Sequence, residues 1–251
     1  MCAMQSVASR SRPAIAHAPR RRCAPAAAQR APLRPAPFGP ALTGAPRRDA
    51  RCRVLTESCD LAIGTKAPAF ELPEPLTGKA VTLEGLAAGS SATLVMFLCV
   101  HCPFVVHLKG AISELVREYQ SQGLAAVAIS SNSTETHPQD GPDNIAKEAR
   151  ELGYPFPYLF DETQAVARAY KAACTPEFYL FGPDRGLVYH GAFDASTPRN
   201  NVPITGADLR AALDAVLAGR PVPQGRPSIG CNLKWSPGKE PEWYGPQQVQ
   251  K

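Results

Sequence analysis

Two cysteines three positions apart form the pattern in this sequence with the clearest chemical meaning. Cys99 and Cys102 enclose Val100 and His101 and are followed by Pro103. Thiols at this spacing can close a reversible disulfide, and a thiolate in such a pair is the reactive form in thiol-disulfide exchange. The pattern therefore predicts thiol-based redox chemistry.

The surroundings predicted for the pair indicate how a thiolate would be stabilised. A cysteine between a strand and a helix faces unpaired backbone N–H groups and the positive end of the helix dipole. His101, when protonated, would lower the pKa of the thiols further. We expect Cys99 to be the nucleophile, Cys102 to resolve the mixed disulfide, and His101 to tune the pKa.

Two later segments supply further candidate residues. Thr175 and Pro176 precede a predicted strand, and a cis peptide bond there would expose backbone groups to an extended partner segment. Cys174 and Cys231 are candidate auxiliary thiols, although Cys174 alone is typical of a packed core cysteine. Cys231 lies twelve residues beyond the glycine that ends the last predicted helix. That span reaches up to roughly 40 Å, so the tail can return to the pair. The alternative role for Cys231 is to help pin the tail near Trp235.

Other interpretations of the pair stay open. Two cysteines at this spacing can simply pack the start of a helix, because cysteine is among the most buried residue types. A zinc or iron–sulfur site needs more ligands, and with one CxxC in the body Cys174 and Cys231 would have to converge on it. We expect no metal and no cofactor.

Apolar patterning places the pair at a strand–helix junction. A buried central strand, an amphipathic helix, a second buried strand and a second helix are predicted, in that order, at residues 93–98, 104–122, 124–129 and 142–152. Parallel strands need such helical crossovers. Ligands bind open α/β sheets at the carboxyl ends of the strands, where Cys99 and the polar loop beginning at Ser130 both lie.

The remaining patterns make the predicted sheet mixed. A helix at 163–170 precedes two strands, 177–181 and 187–192, joined by a Gly-Pro-Asp-Arg-Gly turn. Thr205 and Asp208 suggest a capping box for a last helix. The predicted fold is α/β: a central mixed β-sheet flanked by helices, with an N-terminal β-hairpin extension and a Pro-rich C-terminal tail.

Residues 1–53 differ in composition from the rest of the chain. They hold eleven arginines and one acid, a net charge of +10, whereas residues 54–251 carry −5. An Arg-rich, acid-poor segment with Ser and Thr is typical of an organellar transit peptide, and its many prolines favour the chloroplast, with the stroma as destination, over the mitochondrion. We expect this segment to be disordered, followed by one domain at 64–220 and a tail at 221–251.

Charge and hydropathy also bear on partners. The arginines lack interleaved aromatic residues and the body is acidic, which argues against nucleic acid. No apolar run is long enough for a membrane span. Protein or low-molecular-weight thiols and disulfides, and peroxides, are the expected partners; the oligomeric state is not predicted.

Several motifs together resemble the peroxiredoxin-like branch of the thioredoxin superfamily. The motifs are Phe97-Leu-Cys-Val-His-Cys-Pro-Phe104, Ile129-Ser-Ser-Asn132, Gly153-Tyr-Pro-Phe-Pro-Tyr158, Ala173-Cys-Thr-Pro176 and Ser228-Ile-Gly-Cys231. The earlier Ala67-Pro-Ala-Phe-Glu-Leu72 and Gly78-Lys-Ala-Val-Thr-Leu83 are similar to the opening of alkyl-hydroperoxide-reductase and redoxin domains. The resemblance implies a thioredoxin fold with an active thiol at Cys99 and a cis-proline at Pro176.

The resemblance also implies thiol-disulfide or antioxidant activity. When Cys102 is aligned with the peroxidatic cysteine of peroxiredoxins, Cys99 stands where their threonine belongs and Val95 where their proline belongs. His101 replaces the proline between the cysteines of thioredoxin. The leading hypothesis is a thiol-disulfide oxidoreductase; the alternatives are a thiol peroxidase and a redox-sensing adaptor without turnover.

Overall fold

The computed structural model describes residues 60–244 of the chain. The predicted transit peptide at 1–53 and the last seven residues of the predicted tail lie outside the described residues. No helix within 60–244 combines the length and the apolar character needed to cross a bilayer. In chain order the elements are β1 (Glu71–Pro73), β2 (Ala80–Thr82), α1 (Leu83–Ala87), β3 (Ala92–Phe97), α2 (Pro103–Gln120), β4 (Leu124–Ser130), α3 (Pro142–Leu152), β5 (Tyr158–Phe160), α4 (Ala165–Tyr170), β6 (Cys174–Thr175), β7 (Glu177–Phe181), β8 (Leu187–Gly191), α5 (Ala207–Leu217) and β9 (Cys231–Asn232).

The main sheet has five strands in the order β5-β4-β3-β7-β8. β3 pairs in parallel with β4, which pairs in parallel with β5. On its other side β3 pairs antiparallel with β7, and β7 with β8. β1 and β2 form the expected N-terminal hairpin. This arrangement is a thioredoxin fold and confirms the predicted fold class.

β3 is buried along its whole length because its alternate side chains enter two hydrophobic cores. Leu94 and Met96 pack in the core that includes residues of α2, α3 and α5. Val95 and Phe97 pack in the opposite core, with residues of α1 and α4. Both faces of the sheet are therefore covered, and the end of β3 is held rigidly where the cysteines begin.

Two parts of the structure differ from the sequence-based expectations. The short strands β5 and β9 were not predicted. The predicted capping box at Thr205 was wrong, because the N-cap of α5 is Gly206 and no side chain caps the helix. Asp194 accepts hydrogen bonds from the backbone N–H groups of Thr205 and Gly206, both at 2.7 Å.

Candidate active site

The two cysteines lie between the end of β3 and the first turn of α2. Leu98 still continues the β ladder, with its N–H donating to the Ile129 carbonyl at 3.0 Å. Cys102 is the N-cap of α2, and Pro103 occupies the first helical turn, where a missing N–H costs nothing. The helix therefore begins at Cys102, so Cys102 rather than Cys99 lies closest to the positive end of its dipole.

Both sulfurs converge on Thr175. The Cys99 sulfur lies 3.2 Å from the Thr175 hydroxyl, and the Cys102 sulfur lies 3.1 Å from the Thr175 carbonyl oxygen. The Thr175–Pro176 peptide bond is cis. Both cysteines have no solvent-exposed surface. The structure thus brings together the two predicted thiols and the predicted Thr-Pro segment.

The negative charge of the reduced pair falls on Cys102. Hydrogen bonds donated by the thiol of Cys99, the thiol and backbone N–H of Cys231 and the backbone N–H of Val105 outweigh burial and lower the pKa of Cys102 from 9.0 to about 5. The nearby Thr175 carbonyl favours the protonated thiol, since only that form can donate to it. The donors outnumber this single acceptor, so the pKa is lowered overall.

Cys99 is correspondingly held as a thiol. Its donated hydrogen bond to Cys102, its burial and the negative charge of Asp140 raise the pKa of Cys99 far above its usual range. The lowered pKa of Cys102 favours Cys102 over the predicted Cys99 as the nucleophile. The roles of the two cysteines in a reaction stay predictions.

Asp140 organises the backbone around the pair. Its carboxylate has no exposed surface and accepts hydrogen bonds from the N–H groups of Val100 and His101, at 3.0 and 3.2 Å. Its second oxygen accepts from Asn132 Nδ2 at 2.8 Å and contacts His101 Nδ1 at 2.6 Å. A buried carboxylate with this many donors fixes the conformation of the residues between the cysteines.

His101 is thus tied to Asp140, and its ring stacks on His137 with centroids 5.1 Å apart. Burial and the neighbouring His101 lower the pKa of His137. The negative charge of Asp140 raises the pKa of Cys99 as well, after the hydrogen bond to Cys102 and burial. The tuning role of His101 stays a prediction.

Cys99, His101 and Asp140 also bring sulfur, nitrogen and oxygen atoms within 4.8 Å of one another. These atom types could ligate a metal ion. A metal would, however, have to replace hydrogen bonds that the Asp140 oxygens already accept from Val100, His101 and Asn132. These groups are therefore better described as a hydrogen-bond network that holds the two thiols than as a metal site.

The loop that carries Thr175 is held by a buried glutamate. One oxygen of Glu177 accepts from the N–H groups of Ala173 and Cys174, at 2.8 and 3.3 Å. The other oxygen lies 2.8 Å from Nε2 of His190. The carboxylate thereby fixes the chain immediately before the cis-proline.

A strand from the C-terminal tail lies against the same loop. β9 pairs antiparallel with β6, with Cys231 opposite Thr175. The thiol and the backbone N–H of Cys231 contribute to the lowered pKa of Cys102. Trp235, which is 5% exposed, packs in the core that contains Phe97. Both predicted roles of the tail, reaching the pair and anchoring near Trp235, are therefore compatible with the structure.

Cys174 lies beside this group, with its sulfur directed at the Pro176 carbonyl 3.9 Å away. Burial and the charge of Glu177 raise the pKa of Cys174 well above its usual value. Sequence reasoning missed Asp140 and Glu177. Asp140 is a single acid in a polar loop and Glu177 a single acid at the start of a strand, so neither belongs to a recognisable motif. Only the position of each beside a predicted site segment could have identified it.

Comparisons with known proteins agree with this geometry. The model of the AhpC/TSA family matches residues 63–190, slightly more than half of the chain. The chain belongs to the AhpC/TSA family. The match includes the cysteine pair, Asp140, the cis-proline loop and Glu177. A comparison with curated proteins gives no match.

Two solved structures extend the similarity beyond the family match. An uncharacterized conserved protein from Geobacillus kaustophilus is 50% identical over 70% of this chain and 94% of its own, with a TM-score of 0.68. A hypothetical protein from Sinorhizobium meliloti 1021 is 47% identical over 71% of this chain and 97% of its own, with a TM-score of 0.69. Membership of the AhpC/TSA family places this chain among redox proteins in the broad sense.

Proposed function

We propose that the protein is a thiol-disulfide oxidoreductase in which Cys99 and Cys102 alternate between dithiol and disulfide. The observation that carries the proposal is the convergence of both sulfurs on Thr175 beside the cis-proline, with Cys99 3.2 Å from its hydroxyl and Cys102 3.1 Å from its carbonyl oxygen. This arrangement supplies a nucleophile and a resolving thiol at one point beside Thr175.

The reaction needs no group beyond these residues and a substrate disulfide. The Cys102 thiolate attacks one sulfur of the substrate, the substrate S–S bond breaks, and the departing thiolate takes a proton. Cys99 then gives up its proton and attacks the Cys102 sulfur, which releases the second substrate thiol and closes the Cys99–Cys102 disulfide. The substrate disulfide is reduced to two thiols and the pair is oxidised. In this proposal Cys102 attacks and Cys99 resolves.

The covered site supports a small disulfide as the substrate. Both cysteines have no exposed surface, and the edge of β6 beside the cis-proline is already paired with β9. An extended protein segment could pair with that edge only after β9 had moved, whereas a low-molecular-weight disulfide needs less space.

Alkylation and mass spectrometry test the proposal. After oxidation with oxidised glutathione, the wild type should contain a Cys99–Cys102 disulfide that dithiothreitol reverses. Cys102→Ser should lose exchange activity, and Cys99→Ser should hold Cys102 in a disulfide with a sulfur other than that of Cys99. Cys174→Ser is the matched control, and its activity should equal that of the wild type. Failure of Cys102 to enter any disulfide in the wild type would overturn the proposal.

A thiol peroxidase is the second candidate, and a specific observation favours it. The chain belongs to the AhpC/TSA family, and the pKa of Cys102, the cysteine that the resemblance sets against the peroxidatic cysteine of peroxiredoxins, is lowered to about 5. Its thiolate would attack a hydroperoxide to give a sulfenic acid and an alcohol, and Cys99 would then displace water to form the disulfide. Saturable peroxide consumption that is lost in Cys102→Ser supports this activity; disulfide exchange without peroxide consumption rejects it.

We also propose import into the chloroplast stroma, from the composition of residues 1–53. The test is a fluorescent protein fused to this segment and expressed in plant cells. Stromal fluorescence supports the proposal; mitochondrial or cytosolic fluorescence rejects it.

A further inference from the structure

The C-terminal segment occupies the place where a partner strand would bind. β9 runs antiparallel to β6, and Cys231 is the residue opposite Thr175. Backbone pairing at a strand edge is a general way in which an extended peptide is held, with its side chains presented at fixed positions. Here the strand belongs to the same chain, and the side chain presented to Cys102 is a thiol.

The approach of this segment is too close for any residue but glycine before Cys231. A Cβ atom added to Gly230 would lie 2.0 Å from the Thr175 carbonyl oxygen and 2.6 Å from its carbon. Distances that short force the backbone apart, since neither contacted atom belongs to a flexible side chain. The glycine therefore sets how near Cys231 comes to the pair.

Anchors on both sides fix the position of Cys231. Before it, the Ser228 hydroxyl donates to the Gly191 carbonyl at 2.7 Å. After it, the Leu233 N–H donates to the Ala173 carbonyl at 2.9 Å, and the Lys234 N–H donates to Asn132 Oδ1 at 2.9 Å. The thiol is held in place rather than carried on a free tail.

Exposure distinguishes Cys231 from the pair. Cys99 and Cys102 are fully buried, whereas Cys231 is partly exposed. Since Cys231 lies opposite Thr175, whose carbonyl oxygen is 3.1 Å from the Cys102 sulfur, and since Cys231 also reaches the surface, it is positioned to connect the buried pair with external thiols.

We propose that Cys231 is a third redox thiol, which accepts oxidation from the Cys99–Cys102 disulfide by forming an internal Cys102–Cys231 disulfide. The inference rests on the proposed dithiol chemistry of the pair. Cys231 loses its proton and attacks the Cys102 sulfur, the Cys99–Cys102 bond breaks, and the released Cys99 thiolate takes a proton. One disulfide and one thiol are present before and after the step, so no oxidant is consumed. An external thiol then attacks Cys231, and a second one completes its reduction.

Electrostatics favour this step in the oxidised state. In the reduced protein, burial and the hydrogen bond to Cys102 raise the pKa of Cys231 to about 12. A Cys99–Cys102 disulfide carries no negative charge, so the Cys102 contribution disappears and Cys231 ionises more easily. The thiol becomes a better nucleophile at the stage when it has a disulfide to attack.

Peptide mapping of the full chain under non-reducing conditions tests the inference. After treatment with oxidised glutathione and alkylation of the remaining thiols, Cys99→Ser should carry a peptide in which Cys102 is linked to Cys231. Cys174→Ser, which changes the neighbouring cysteine of β6, should give the wild-type disulfides. The proposal would be overturned if Cys102 in Cys99→Ser carries glutathione while Cys231 is alkylated, since Cys231 would then have remained a free thiol.

Gly230→Ala tests the geometry without removing a thiol. The added methyl group should displace Cys231 and slow formation of the Cys102–Cys231 disulfide by on the order of tenfold or more, as expected when a reacting group loses its orientation. An unchanged rate would contradict the inference. Circular dichroism of this variant establishes that it is folded. If Gly230→Ala does not fold, the peptide map of Cys99→Ser still tests whether Cys102 and Cys231 form a disulfide.

Cys231→Ser separates failure of this inference from failure of the proposed function. A reversible Cys99–Cys102 disulfide in that variant, together with no Cys102–Cys231 link in the wild type or in Cys99→Ser, rejects the third thiol alone. Absence of any disulfide at Cys102 in all variants rejects both.

Discussion

Removal of the Cys99 thiol tests the assignment of negative charge to Cys102. Cys99 provides the largest contribution to the lowered pKa of Cys102. Loss of a hydrogen bond to a charged acceptor costs roughly 1.5–3 kcal/mol, and one pH unit corresponds to about 1.4 kcal/mol. In Cys99→Ala the pKa of Cys102 should therefore rise by ~1–2 pH units from its value of about 5.

The assay is the ultraviolet absorbance of the thiolate in the reduced protein, followed as a function of pH, with iodoacetamide labelling to identify the ionised residue. Cys99→Ser keeps a hydroxyl donor at the same place, so it should leave the pKa of Cys102 closer to its wild-type value. Cys174→Ser should not change it. An unchanged midpoint in Cys99→Ala, or labelling of Cys99 before Cys102 in the wild type, would refute the reasoning.

Three further predictions concern stability and the cis-proline loop. In the reduced protein the free energy of unfolding should rise between about pH 5 and 9, because the pKa of Cys102 is lower in the folded state than its ordinary 9.0. It should fall above pH 9, because the pKa of Cys99 is raised in the folded state. Urea unfolding at several pH values measures both effects, and Cys102→Ser should lose the rise between pH 5 and 9. Asp140→Asn should lower the free energy of unfolding by roughly 3 kcal/mol, since it removes a buried charged acceptor; urea unfolding that gives the wild-type value would contradict its organising role. Glu177→Gln leaves one carbonyl acceptor in place of two carboxylate oxygens, so it should lower the free energy of unfolding by ~2 kcal/mol and slow formation of the Cys99–Cys102 disulfide. Quenched alkylation measures that rate, and an unaltered rate would show that Glu177 does not position Thr175.

Local patterns in the sequence predicted most of the fold. The buried strand around Val95 and helix α3 could be recognised because apolar periodicity reflects burial directly. β5 and β9 escaped prediction because each is only two or three residues long and is defined by pairing with a distant strand. Pairing of that kind leaves no periodic signal.

The site was predictable in its residues but not in its electrostatics. The CxxC spacing identified both thiols, and the Thr-Pro sequence identified the loop on which they converge. The division of charge between Cys99 and Cys102 depends on contacts with Cys231 and Asp140, which lie far from the pair in the sequence. Asp140 acts through contacts 39 and 40 residues distant in sequence, which composition cannot show.

The contact between Cys99 and Thr175 joins positions 76 residues apart. Cys99 follows β3 and Thr175 precedes β7, and these neighbouring strands run in opposite directions. The lowered pKa of Cys102 depends in part on Cys231, which β9 brings to the pair from the far end of the chain, so no short peptide from this chain can reproduce it in full. Denaturation should return this thiol to ordinary behaviour in the same transition that unfolds the sheet. The labelling rate of a single sulfur, measured across a denaturant series at neutral pH, thus serves as a built-in reporter of cooperative folding.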